Sequence, residues 1–268
     1  MATPQVWNGT SWVALTKNKT AYWSGSAWVE PSDIKYWNGS SWVTIFGSAA
    51  VIAFRTSGSN NALTVSSLDV PIPGTVQTGD LLVLVVSQTS NSATLFNAIT
   101  GWTKVGEQRA GTSAFTIGVF TRIAQVGDAG TNVTSTSVSS ANYSGQVRAY
   151  SGVNQTTPLD ATTVFSQLDS TSTSVTAPAI TVATTGAMLV TVHGLPTTAG
   201  TTLTAADWTE PTGFGDEVTV CTASGSANNA AIACYDRITP GTGSQGPFTA
   251  TSTQARRWAT ATLALRPA

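Results

Sequence analysis

Hydrophobic and polar residues alternate over short runs along this chain, which is the period of strands with one buried face. The apolar runs are rich in Val, Thr and aromatic residues, and Gly, Asn and Ser clusters that favour turns separate them. The longest apolar run, LLVLVV at 81–86, predicts a strand that is buried on both faces. No apolar stripe has helical spacing, so the pattern predicts an all-β fold.

A tryptophan motif, W-x-G-x-x-W, occurs three times near the start of the chain. It is written VWNGTSWV at 6–13, YWSGSAWV at 22–29 and YWNGSSWV at 36–43. The central Asn-Gly or Ser-Gly accepts the positive φ angles of a tight hairpin turn. A loop of two or four residues puts both tryptophans of a repeat on one face, whereas a three-residue loop separates them. The repeats predict three hairpins over residues 1–46.

This hairpin segment is short for an independent domain, because chains below roughly 60 residues bury too little surface without metals or disulfides. We therefore expect a second copy, a partner subunit or the following domain to cover it. The candidate interaction residues are its six tryptophans: Trp7, Trp12, Trp23, Trp28, Trp37 and Trp42. We favour a role in core and assembly, since large aromatic rings dominate interface energetics, over the alternative of a repeated sugar platform.

From residue 50 onward the sequence contains one module twice, each copy spanning roughly 105 residues with six to eight short strands. Three correspondences define the repeat: 75–87 with 181–194, Trp102 with Trp208, and Arg122 with Arg237. Strands at this spacing predict antiparallel β-sandwich or jelly-roll-like modules, which we place at 47–155 and 156–268. They are two tandem sandwiches or two halves of one larger sandwich, and we favour two similar modules packed together.

Charge is sparse, at 9% of residues with a net charge of −1, which argues against a nucleic-acid-binding protein. The only paired basic residues, Arg256 and Arg257, predict a solvated pair on a strand. The N-terminal sequence has neither the basic start nor the apolar core of a signal peptide, and no apolar run is long enough to cross a membrane. We expect synthesis in a cytoplasm without membrane insertion.

The two cysteines, Cys221 and Cys234, flank a predicted hairpin turn, SGSANN at 224–229. Neighbouring strands could bring them within bonding distance, so a disulfide is one alternative. Assembly in a cytosol favours free thiols, and we therefore predict that both cysteines are reduced and buried.

Catalytic motifs are absent from the sequence. The only histidine, His193, ends a predicted strand and has no cysteine or second histidine nearby, so neither a zinc site nor a nucleophile with its base is expected. Several acids lie in or near predicted loops, but no spacing nominates a hydrolytic pair among Asp160, Asp169, Asp207, Asp216 and Glu217. The acidic stretch VGDAGTN at 126–132 lacks the alternating Asp of a calcium loop. We expect no enzymatic activity and no cofactor.

The W-N-G-x-S-W-V head, followed by GDLLVLVV, GWTKVG, FTRIAQVGDAG, AYSGV and PLDATT, resembles minor tail proteins of long-tailed phages that infect actinobacteria. The resemblance covers most of the chain, and its motifs are strand and turn patterns. It implies a virion structural protein present in several copies, at the tail tip or projecting from the particle, in contact with host cell-wall glycan. It supplies no catalytic residues.

The leading hypothesis from the sequence is a virion protein whose tryptophan-rich head docks to another virion protein or trimerises, while the sandwich modules project outward. A capsid decoration or head-fibre protein is an alternative location, and a carbohydrate-binding host-recognition module is an alternative function. A depolymerising hydrolase is a third hypothesis. The expected partners are other virion proteins, copies of the same chain and cell-wall glycan.

Overall fold

The computed structural model describes residues 51–90, 95–111, 115–220, 229–239 and 241–268, and short stretches at 5–7, 12–14, 22–23, 26, 28–29, 34–37 and 42–46. The chain divides into two compact units, residues 1–50 and residues 51–268. The described secondary structure is strand apart from one short 3-10 turn, and all strand pairs are antiparallel. The prediction of an all-β, antiparallel fold is confirmed.

The described residues of the first unit form six short strands in three antiparallel pairs. The strands are β1 (Gln5–Trp7), β2 (Trp12–Ala14), β3 (Tyr22–Trp23), β4 (Trp28–Val29), β5 (Ile34–Trp37) and β6 (Trp42–Phe46). In each pair the backbone register places the two tryptophans of one repeat directly opposite each other: Trp7 with Trp12, Trp23 with Trp28, and Trp37 with Trp42. This register corresponds to a four-residue loop, one of the two loop lengths that place both tryptophans on one face.

The second unit begins with a five-stranded sheet. Its strands are β7 (Ala53–Pro71), β8 (Leu81–Gln88), β9 (Thr103–Ala110), β10 (Phe115–Ile123) and β11 (Asn132–Ser151), in the spatial order β7-β11-β8-β10-β9. All eight residues of β8 are buried, as the apolar run at 81–86 predicts for a strand with both faces covered.

The remaining strands form a second sheet and a small ribbon. They are β12 (Val164–Ala177), β13 (Ile180–Val182), β14 (Met188–Thr197), β15 (Trp208–Thr209), β16 (Gly215–Val220), β17 (Asn229–Ile238), β18 (Gly243–Gln245) and β19 (Phe248–Leu265). The main sheet has the order β12-β19-β14-β17-β16, with β15 beside β19, and β13 pairs with β18.

The two sheets have the same topology, because the strands of each follow the order first, fifth, second, fourth, third. The register repeats as well: Arg122 lies opposite Leu82, and Arg237 lies opposite Leu189. The repeat in the sequence thus corresponds to two copies of one β topology, residues 53–151 and 164–265. The module boundary predicted between 155 and 156 falls in the connection between β11 and β12.

Each copy covers the outer face of its sheet with its own longest strand pair, β7 with β11 in the first copy and β12 with β19 in the second. Register shifts between Thr136 and Tyr143 bend β11 relative to β7, so the end of β7 lies over the sheet. The contact is close, since a Cβ on Gly145 would lie 2.5 Å from the side chain of Val70. In the second copy the backbone carbonyl of Val175 on β12 reaches across to a side chain of β14 in the same way.

These bent strand pairs enclose an outer core in each copy. The first outer core includes Val70, Leu84, Phe96, Trp102, Phe120 and Tyr143. The second includes Val175, Leu189, Trp208, Phe214, Phe248 and Trp258. The aligned tryptophans of the repeat, Trp102 and Trp208, are therefore both core residues, 9% and 8% exposed.

The inner faces of the two sheets pack against each other and form a central core. It contains Leu81, Val83, Val85, Ile117 and Val119 from the first copy with Val190, Val192, Ile232, Leu263 and Leu265 from the second. The sheets approach closely, because a Cβ on Gly194 would lie 2.7 Å from Ile117 and 2.9 Å from Phe115. The two copies are thus successive halves of one compact unit that share a central core.

A line of polar contacts, the polar seam, crosses this apolar interface where β11 faces β17. The Asn142 side-chain amide donates to Oδ1 of Asn229 at 3.0 Å, and the Ser144 hydroxyl donates to the carbonyl of Ala230 at 2.6 Å. At the end of the seam the Arg148 guanidinium forms an ion pair with the Asp236 carboxylate.

The ion pair of the polar seam is closed off from water. Arg148 is fully buried, its Nε donates to the Tyr150 hydroxyl at 2.8 Å, and its guanidinium lies 4.4 Å from the centroid of the Phe54 ring. The Tyr150 hydroxyl in turn donates to Asp236 at 3.2 Å. Burial disfavours the charge on Arg148, but Tyr150, Cys234 and Asp236 outweigh it and raise the pKa of the guanidinium.

The symmetry-equivalent positions in the other half of the interface carry no charge. Leu263 takes the place of Arg148, because each lies opposite the same position of the central strand of its sheet, β14 or β8. Thr121 takes the place of Asp236 for the same reason. The same fold therefore closes one half of its interface with an ion pair and the other half with uncharged side chains.

The difference between the two halves of the interface predicts that a single substitution in the polar seam destabilises the fold more than a double one. Asp236→Ala leaves a buried charge without its partner, and we expect a loss of about 3–5 kcal/mol in the free energy of unfolding. The double variant Arg148→Leu/Asp236→Thr copies the uncharged half, and we expect it to recover at least half of that loss. Urea unfolding of both variants measures the difference, and a double variant no more stable than Asp236→Ala would contradict it.

Candidate functional site

An open cleft of about 440 Å³ lies on the outer side of the first copy, and we call it the first-copy cleft. Its volume is within the range of ligand pockets, about 300–1,000 Å³. Its apolar residues are Ile72, Ala98, Ile99, Trp102 and Val133. Its polar residues include Thr100, Arg122, Asp128, Thr131, Asn132, Thr134 and Thr136. The cleft combines an apolar floor with a polar rim.

Backbone hydrogen bonds fix the segments that form the floor. The Ile72 N–H, just beyond β7, donates to the Thr131 carbonyl at 2.8 Å. The Trp102 N–H donates to the Ile99 carbonyl at 3.0 Å, and this turn requires the positive φ of Gly101, 77°, which glycine adopts without strain. The floor is therefore held by the main chain of the residues that line it.

The charged residues of the cleft neutralise each other. Arg122 at the end of β10 donates to the Asp128 carboxylate at 2.8 Å, and both side chains are mostly buried. The second carboxylate oxygen accepts the Gln125 N–H at 2.7 Å, which fixes Asp128 within its turn. With both charges paired, the cleft has no net charge to attract an ion.

Two threonine hydroxyls on the rim are oriented by hydrogen bonds to neighbouring acidic residues. Thr131 donates to the Asp128 carbonyl at 2.7 Å, and Thr134 donates to Asp69 at 2.6 Å. Each hydroxyl that donates in this way leaves its oxygen lone pairs facing outward as acceptors. Thr100 and Asn132 are exposed at the rim.

The second copy is built differently at the corresponding place. The register aligns Val133 with Phe248, since they lie opposite Val70 and Ala177 at equivalent positions of β7 and β12. Phe248 packs edge to face on Phe214, with ring centroids 5.0 Å apart. Arg237, the equivalent of Arg122, lies over both rings, 4.9 Å from the centroid of Phe214 and 5.1 Å from that of Phe248. Aromatic rings thus occupy the space beneath the second arginine.

The six tryptophans predicted as interaction residues belong to the first unit and are described by backbone alone. The structure brings them together as three opposed pairs on three two-stranded sheets. Their role as an interaction or anchor surface remains a prediction.

Of the two cysteines, Cys234 lies on β17 within the central core and is fully buried. Burial raises the pKa of this thiol to about 12, so the reactive thiolate form is disfavoured. Cys221 lies outside the described residues, and the absence of a disulfide stays a prediction.

The five acids considered for hydrolysis have different settings. Asp160 is buried and accepts the Ala183 N–H at 2.6 Å and the Thr184 N–H at 3.1 Å. Asp169 accepts the Gly111 N–H at 2.6 Å. Asp207 caps its 3-10 turn through Thr204, and Asp216 and Glu217 lie on β16. The three acids with described side chains therefore hold turns and neighbouring strands.

The described part of the chain has neither a metal cluster nor a membrane-spanning helix. Among these residues, no cluster of three or more His, Cys, Asp or Glu side chains could hold a metal ion. No helix in the same residues is long and apolar enough to span a bilayer.

Comparison of the chain with protein-family models, with curated proteins and with solved structures finds no match in any of the three. The candidate site is therefore defined by its own geometry. Sequence reasoning did not identify the first-copy cleft, although one signal was present: where the two copies align, the first has the smaller Val133 and the second the larger Phe248.

His193 occupies a core position on β14 and is fully buried. Its Nδ1 donates to the Val175 carbonyl at 2.9 Å, and its ring lies 5.4 Å from that of Tyr235. Within the described part of the chain, Nε2 has no hydrogen-bond partner. Burial is the main reason that the pKa of His193 is lowered from 6.5 to about 4. The neutral side chain holds β12 over the sheet through this hydrogen bond.

This setting predicts a loss of stability in mild acid. The unfolded chain takes up a proton near pH 6.5 and the folded chain only near pH 4, so stability present above pH 6.5 falls as the pH drops between these values. The expected loss is about 3 kcal/mol. Unfolding free energies measured across this range should decline in the wild type and stay nearly flat in His193→Gln, and parallel profiles would contradict the assignment.

Proposed function

We propose that this chain is a structural protein of a bacteriophage virion, a minor tail protein at or near the tail tip. The observation that supports this most is the division of the chain into residues 1–50, with three tryptophan-paired hairpins, and the separate unit 51–268. The resemblance of the repeats and strand motifs to minor tail proteins of actinobacterial phages gives the class of particle.

In this proposal the hairpin segment attaches the protein to the particle. Six tryptophans in so short a segment supply a large aromatic area, and tryptophan is enriched among the residues that dominate interface energies. The segment docks to another virion protein or packs against copies of itself, with a trimer as the favoured assembly because tails impose threefold or sixfold symmetry. Closed symmetry of this kind limits the number of copies per particle.

The second unit serves as the projecting part. Its strands are joined by backbone ladders and held between three connected cores, and its surface is built largely of Ser, Thr, Asn and Gly with few charges. A compact β unit of this kind keeps its shape outside the cell. The proposal is a non-catalytic one, and it includes synthesis in the host cytoplasm and release with the particle.

Replacing tryptophans tests the attachment role. We expect Trp37→Ala/Trp42→Ala to reduce the number of chains per purified particle by more than tenfold, because each interface tryptophan is worth about 2 kcal/mol or more. Val126→Ala is a matched control, since Val126 is 89% exposed on the second unit. Quantitative immunoblots of purified particles give the occupancy, and normal occupancy of the double variant would refute attachment through this segment.

Imaging with a gold-labelled antibody against residues 51–268 tests the location. Label at the distal tail is the expected result. Label over the head instead would replace the tail assignment with that of a capsid decoration or head-fibre protein, and the tryptophan repeats would then be its capsid anchor. Particles without label would exclude a virion protein altogether.

A further inference from the structure

We propose that the first-copy cleft binds a neutral sugar, as a terminal monosaccharide or disaccharide unit of a glycan. This goes beyond the structural role proposed above and does not depend on it. Three features of the cleft support it: the chemistry of its lining, its balanced charge and its difference from the second copy.

The lining suits a ring that is apolar on one face and hydroxylated at its edge. Ile72, Trp102 and Val133 form a floor that is fixed by the main chain and nearly closed to water, each side chain being less than a tenth exposed. A pyranose presents its C–H groups to such a floor while its hydroxyls point outward. The polar rim, with exposed Thr100 and Asn132, meets those hydroxyls.

The charges in the cleft select against ions. The charge of Arg122 is balanced by Asp128, and the second carboxylate oxygen accepts a backbone N–H, so the cleft offers no net charge to a charged ligand. Introducing a carboxylate or an ammonium group would require breaking this pair or leaving the new charge partly desolvated, which costs free energy. The cleft therefore favours uncharged sugars over uronic acids and over amino sugars with a free, protonated amine.

The difference between the copies argues that the cleft is more than a packing gap. The same topology places Phe248 where the first copy has Val133, and with Phe214 it fills the space below Arg237. One copy thus shows that the fold accommodates filling of this place by aromatic rings. The other copy keeps the place open and lines it with threonine, asparagine and a neutralised ion pair.

The cleft can be tested with the full chain labelled with ¹⁵N-tryptophan. The nine tryptophans give separate indole N–H signals, and Trp102→Phe identifies the one that reports on the floor. Titration uses galactose, arabinose, glucose and N-acetylglucosamine as neutral probes, with glucuronate and glucosamine as charged comparisons. We expect a saturable shift of the Trp102 signal with at least one neutral sugar and a shift at least tenfold weaker in apparent affinity with the charged ones.

Val133→Phe tests the site by giving the first copy the aromatic ring that the second copy has at this position. We expect it to weaken binding by at least tenfold. Val51→Phe is the control for the added ring, because Val51 is 73% exposed and is not part of the cleft, and it should bind as the wild type does. Asn132→Ala changes only an exposed rim residue and serves if Val133→Phe fails to fold; it should weaken binding several-fold.

Three results would overturn the proposal: no shift of Trp102 with any neutral probe, stronger binding of a charged probe, or unchanged binding in both cleft variants. The attachment of the chain to particles is measured separately through Trp37 and Trp42. A failure of sugar binding therefore leaves the proposed virion role standing, and a failure of particle attachment leaves the cleft proposal standing.

Discussion

The structure of residues 51–268 depends on the need to cover both faces of each sheet. All eight residues of β8 and all ten of β14 are buried, so neither central strand has a face that water can contact. A sheet of this composition needs two covers. Each copy supplies one cover by bending its longest strand pair over its own outer face, and the other copy supplies the second at the central core.

The polar seam has a different role from the apolar surface around it. Hydrophobic burial is non-directional, so it drives two sheets together without fixing their alignment. The contacts of Asn142, Ser144 and Arg148 each require one particular partner on β17, and they form together in one alignment of the sheets. We infer that the central core provides most of the stabilisation and that the seam fixes the alignment.

Much of the fold could be predicted from the sequence because local signals and tertiary packing agree. The run at 81–86 identified a strand with two buried faces, and the match of Arg122 with Arg237 is repeated in the strand register. The buried ion pair could not be predicted, because a charged residue within a strand pattern is usually solvated and its partner is 88 residues away. The cleft was missed for a related reason: its lining comes from four separate segments that only the bent strand pair of β7 and β11 brings together.

The joining of two copies in one chain has a consequence for dilute conditions. Two separate chains covering each other's inner faces would dissociate as their concentration fell, and each would then expose a sheet of apolar side chains. On a single chain the second half is always present, at an effective concentration in the millimolar range for a short connection. The central core is thus independent of mass action, and each molecule stays closed at any dilution.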